Sequence, residues 1–144
     1  MLLTSLALVA GALSPLEAIQ GKDGAKHARD FRAAVVANVR PECRKELEPI
    51  IAAIRFAENG RAGLEFGCLS RYAKNTTYRK QAGEAACTVQ KNYDRWKRAG
   101  GKGEFVVFLG ARYCPVGADN DPQGLNKHWV KNVTHHNKRL GGTL

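Results

Sequence analysis

An all-α domain is what this sequence predicts, on three observations. Apolar side chains recur at three- and four-residue spacing through residues 25–39 and 76–98, which is the period of an amphipathic helix. Both stretches end on helix breakers, Pro41 after the first and Gly100-Gly101 after the second. The one segment of strand-like composition, residues 104–109, has no evident partner strand elsewhere. A chain of 144 residues suits one domain with a real core.

The first 20 residues stand apart. Residues 2–13 are almost wholly apolar, and Glu17 is the one charged side chain before Lys22. The run is short for a bilayer span but has the length of an export signal's apolar region. Ala12, Ser14 and Ala18 supply small residues for cleavage, with Leu16-Glu17-Ala18 the best stretch, although no Lys or Arg precedes Leu2. We read residues 1–20 as a leader and 21–144 as the folded domain. A retained anchor is the second reading and a buried N-terminal helix the third.

From residue 25 to about 39, Ala28, Phe31, Val35 and Val39 form one apolar stripe, and Pro41 stops the helix. A second helix is expected from Pro49, whose missing N–H suits a first turn. It carries Ile50, Ile51, Ile54 and Phe56 to Glu58, where Asn59-Gly60 breaks it. Residues 61–75 form an irregular connection. Thr76 or Thr77 then caps a longer helix to about residue 98, with Ala82, Ala85, Ala86, Val89, Tyr93 and Trp96 towards the core. Residues 104–109 suit either a buried strand or a short buried helix, and the lack of a partner strand decides for helix. Residues 115–124 are crowded with turn formers. A last helix over 125–137 turns Trp129 and Val133 inward, for about five helices in all.

Lys and Arg number 23 against 13 Asp and Glu, a formal net charge of +10. Such a surface attracts polyanions: nucleic acid, an anionic membrane, or the carboxylates and phosphates of a bacterial wall. The basic residues are spread through every segment and no DNA- or RNA-binding motif occurs, so no specific nucleic-acid partner is expected. Cys43, Cys68, Cys87 and Cys114 are widely spaced with no C-x-x-C pair, which argues against zinc. In an oxidising compartment they predict two disulfides in one of three pairings, whereas a cytosolic location predicts four separate thiols.

Glu58 is the candidate catalytic residue. It ends an apolar helix, where outward-pointing carbonyls and the negative end of the dipole disfavour an ionised carboxylate. A carboxyl held neutral beside a cleft is what a general acid in glycoside cleavage requires. The competing reading is a solvated Glu paired with Arg55 or Arg61. Glu65, Asp119 and Asp121 are candidates for a second carboxylate. Asn120 and Asp121 suit sugar hydroxyls, and Tyr113 and Trp129 have flat faces that stack on sugar rings, with a core role favoured for Trp129. The oxygen-rich 119–124 loop lacks the spacing of a calcium loop. His128, His135 and His136 read as solvated basic surface, since adjacent histidines on a helix point in different directions.

Ala53-Ile54-Arg55-Phe56-Ala57-Glu58-Asn59-Gly60 resembles the helix-end Glu-Ser-Gly or Glu-Asn-Gly signature of lysozyme-like muramidases and lytic transglycosylases. Phe66-Gly67-Cys68-Leu69-Ser70 stands where such proteins place a Gly-containing segment that lines the sugar cleft. Phe108 to Pro115, the stretch from Ala118 to Pro122, and Gly124 to Trp129 are similar to small peptidoglycan-hydrolase-like proteins of phages and bacteria. The resemblance spans roughly residues 50–133 and implies a compact lysozyme-like helical domain. It implies a secreted or periplasmic, monomeric enzyme acting on the β-1,4 linkages of peptidoglycan glycan strands. Glu58 would be the general acid/base, Ser70, Tyr113, Asn120, Asp121 and Asn126 would contact substrate, and no cofactor, metal or stable membrane span is expected. The alternatives are a non-catalytic basic binding or virion structural protein, and a nucleic-acid-binding protein.

Overall fold

The run from Ile50 to Ile54 has apolar side chains all round its helix, and such a helix is stable only when covered on every side. The computed structural model, which describes residue 11 and residues 13–144, buries every one of these five residues completely. They lie in α3 (Arg44–Glu58), the central element, which packs against α6 (Trp129–Arg139), α4 (Tyr78–Arg98) and α1 (Pro15–Asp23). The remaining helices are α2 (Ala25–Asn38), which lies along α4 and α1, and α5 (Phe105–Tyr113), which lies against α4 and α6. Among the described residues there is no strand, so the all-α expectation holds, with six helices rather than five. No helix among the described residues is long and apolar enough to cross a membrane.

The sixth helix comes from the segment read as leader. Residues 1–10 and 12 lie outside the described residues, but α1 belongs to the domain. Ser14 caps it, its hydroxyl oxygen accepting from the Glu17 backbone N–H at 3.1 Å. Ala18 and Ile19 enter the core, Ile19 with no exposed surface. At its end Asp23 forms a bidentate pair with Arg55 of α3, both distances 2.9 Å, and accepts from the Tyr78 hydroxyl at 2.8 Å. Residues 14–23, read as leader up to residue 20, thus pack with the other helices of the domain.

Helices 25–38, 78–98 and 105–113 lie within a few residues of expectation, and Thr77 caps α4 by accepting from the Lys80 N–H at 3.2 Å. Two boundaries differ. α3 starts at Arg44, five residues before Pro49, because a 3₁₀ turn (Pro41–Cys43) runs directly into it and Leu47 is needed in the core. Residues 125–128 form a 3₁₀ turn, and α6 starts only at Trp129.

The expected disulfides are absent: all four cysteines are free. Each sits in its own surroundings. The Cys43 sulfur lies 3.6 Å from an Arg40 guanidinium nitrogen and 3.8 Å from the Gln90 amide, and that of Cys68 lies 3.4 Å from the Tyr113 hydroxyl. Burial pushes the thiols of Cys68 and Cys114 up to about 12, so both stay protonated near neutrality.

Candidate active site

Glu58 is the last helical residue of α3, and Asn59 turns the chain out in the left-handed conformation (φ 45°, ψ 37°). The connection that follows folds back over the carboxyl group. Gln81, fully buried on α4, holds that connection: its side-chain oxygen accepts from the N–H groups of Phe66 and Cys68, both at 3.2 Å. Its amide donates to the carbonyls of Cys68 (2.8 Å) and Ala73 (3.0 Å). This sets Gly67, at φ 70°, directly against Glu58, and a Cβ there would overlap the carboxylate.

The opposite side comes from α5 and α6. The Trp129 indole N–H donates to Glu58 Oε1 at 2.9 Å. The Tyr113 ring stacks on Trp129, with centroids 5.3 Å apart, and its hydroxyl donates to the Phe66 carbonyl at 2.6 Å. Gly110 permits this approach, since a Cβ there would sit 3.2 Å from the indole and 2.7 Å from Val130. Glu58 is thus half-buried, and burial raises its carboxyl above the ordinary range while the Trp129 hydrogen bond works the other way.

A cavity of about 290 Å³ opens at this carboxyl, walled by Gly67, Leu69, Tyr113, Cys114, Asn120 and Asn126, with Arg61 among its other lining residues. It adjoins a second hollow of about 200 Å³ that shares Gly67, Leu69 and Tyr113 and continues to Glu84, Thr88 and Arg112. A larger hollow of about 730 Å³ lies between α2 and α4, away from Glu58, lined mostly by small and basic residues.

Of the six residues singled out, Glu58, Tyr113, Asn120 and Asn126 come together here. Ser70 does not: its hydroxyl accepts from the Tyr72 N–H at 3.3 Å in a turn outside the cavity. Asp121 does not either. It is buried, and its carboxylate accepts from the N–H groups of Gly117 (3.1 Å), Leu125 (2.7 Å) and Asn126 (3.1 Å). Burial opposes its charge, but the three donors prevail and hold the carboxyl below its ordinary value. Asp121 therefore shapes the 115–126 loop and does not line the cavity. Asn126 is also held, its amide donating to the Pro115 carbonyl at 2.8 Å.

None of the three candidate second carboxylates lines the cavity. Glu65 is buried and accepts from the Gly63 N–H at 3.0 Å, and Asp119 is exposed. Arg55 does not pair with Glu58 but with Asp23. The resemblance placed Gly67 in a segment lining the cleft, but neither its contact with the Glu58 carboxyl nor any role for Gln81 or the indole N–H of Trp129 was expected from the sequence. The Trp inside the quoted stretch 124–129 was the available signal for the donor, and nothing in the pattern marked Gln81. No protein-family model, curated protein or solved structure matches the chain.

Proposed function

We infer that the protein is a glycan-cleaving enzyme of the bacterial cell wall in which Glu58 is the general acid and then the base. The observation that carries this reading is the setting of Glu58: a half-buried carboxyl, raised by burial, at the mouth of a mainly apolar cavity that also presents Arg61, Asn120 and Asn126. Tyr113 offers the cavity an aromatic wall, and Asn120 an exposed amide for a sugar hydroxyl. Leu69, half exposed, gives an apolar surface beside them. Cys114 shares the cavity, but its protonated thiol is a poor nucleophile.

Glu58 is the one carboxylate among the residues lining this cavity, Glu84 lying in the adjoining hollow beyond Tyr113, and the single-Glu route is the one this lining supports. Glu58 protonates the glycosidic oxygen as the bond to the leaving sugar breaks. The resulting carboxylate then takes the proton from a hydroxyl of the sugar that keeps the anomeric carbon, as that hydroxyl's oxygen closes on the same carbon. The product is an anhydro-sugar, and no water is consumed. A net charge of +10 draws the protein to the anionic wall. The free cysteines withdraw one support for export, so a secreted or periplasmic location rests on the apolar leader and the charge.

The test is clearance of purified peptidoglycan by the natural chain and by Glu58→Gln, with products identified by mass. The natural chain is expected to release anhydro-ended fragments and Glu58→Gln to lose at least about a hundredfold in rate. Reducing ends would replace the transglycosylase route with hydrolysis. Equal inactivity of both, with wall binding retained, would leave a binding protein.

A further inference from the structure

We propose that Trp129 is a positioning residue that fixes which oxygen of Glu58 carries the catalytic proton: Oε1 is held as the acceptor by the indole N–H, and the proton resides on Oε2. In a neutral carboxyl one oxygen accepts and the other bears the hydrogen. The indole N–H is a donor only, and it meets Oε1 at 2.9 Å. Oε2 has no hydrogen-bond partner among the described residues and packs over the bare Cα of Gly67 on the cavity wall. The carboxyl is thus presented in one orientation.

The indole itself has little freedom. Trp129 is 6% exposed. Tyr113 covers one part of it, tethered through its hydroxyl to Phe66, and the absence of a Cβ on Gly110 lets α5 close on another. Once Oε2 gives up its proton, the same N–H faces a carboxylate, and a hydrogen bond to a charged acceptor is the stronger one. The donor therefore assists the departure of the proton, which a ring without an N–H cannot do.

The kinetic part of this inference rests on the general-acid reading of Glu58; the geometric part does not. The chain has two tryptophans, and Trp96 donates its indole N–H to the Lys102 carbonyl at 3.1 Å. A 15N spectrum then holds two indole signals, one an internal control. The Trp129 signal is expected to shift with pH in step with the 13C carboxyl signal of Glu58, the Trp96 signal to stay still, and the Trp129 shift to vanish in Glu58→Gln. For Trp129→Phe, kcat on peptidoglycan is expected to fall about tenfold or more with KM within about twofold, and the alkaline limb of the pH profile to move up by about one pH unit. A Trp129 signal indifferent to the Glu58 titration, or a Trp129→Phe profile superimposable on the natural one, overturns the proposal. Titration of the indole signal without any glycan cleavage would sink the enzymatic reading and leave the positioning intact. Glu58-dependent cleavage with a flat indole signal would do the reverse.

Discussion

Two carboxylates near the candidate site respond to folding in opposite ways. Burial raises the Glu58 carboxyl in the folded chain, so its contribution to stability is present below the unfolded pKa and is lost as pH rises through the folded one. Above that folded value the ionised Glu58 consequently costs stability. Glu58→Gln keeps an acceptor oxygen for Trp129 and removes the charge. It is expected to melt above the natural chain at neutral pH, with the gap closing at acid pH where Glu58 is protonated in both the folded and the unfolded chain; thermal scans at the two pH values check this, and a gap of equal size at both contradicts it. Asp121 has the other sign: its depressed carboxyl stabilises above the unfolded pKa, and that support fades as pH falls through the folded one. At this scale the sequence was a partial guide. It marked Glu58 because a helix end has a known dipole, but it ranked Asp121 as a sugar ligand because a turn carboxylate and a binding carboxylate look alike until their donors are seen.

Among the elements, α4 has a task beyond packing. Its Gln81 makes four hydrogen bonds to the 66–73 backbone, all from a fully buried position. Gln81→Leu leaves two N–H groups and two carbonyls without these partners, at about 1–3 kcal/mol for each left buried and unpaired. We expect a loss of at least about 3 kcal/mol by denaturant unfolding, and faster hydrogen exchange at the Phe66 and Cys68 amides than in the helices. Unchanged exchange there would show that another group holds the connection. The helices themselves were legible, since a 3.6-residue period and Thr or Gly punctuation are local signals. The irregular connection was not, because its shape is imposed from a residue 13 to 15 positions away. A Gln inside an amphipathic helix otherwise reads as solvated surface. The strand-or-helix ambiguity at 105–109 was resolved correctly by the absence of a pairing partner.

For the whole molecule, the main revision is where the domain begins. Apolar content made residues 1–20 look like one unit, yet the structure draws residues 15–23 into the fold through Ile19, Ala18 and Asp23. Composition does not report this, because an export signal and a buried amphipathic helix both call for apolar residues. A chain beginning at Leu13 keeps the Ser14 cap and the buried Ile19. One beginning at Gly21 loses the Ser14 cap and the buried Ile19, a cost of about 2–5 kcal/mol. Urea midpoints of the two shortened chains decide it, and equal midpoints would restore the boundary at 21.

The indole that serves Glu58 comes from residue 129 of 144. Synthesis proceeds from the amino end, so a growing chain acquires the carboxyl of Glu58 first, the Gln81 anchor next, and the indole donor only after both. A nascent or truncated chain that stops before α6 has Glu58 without its hydrogen-bond donor and without the stacked wall of Tyr113 and Trp129.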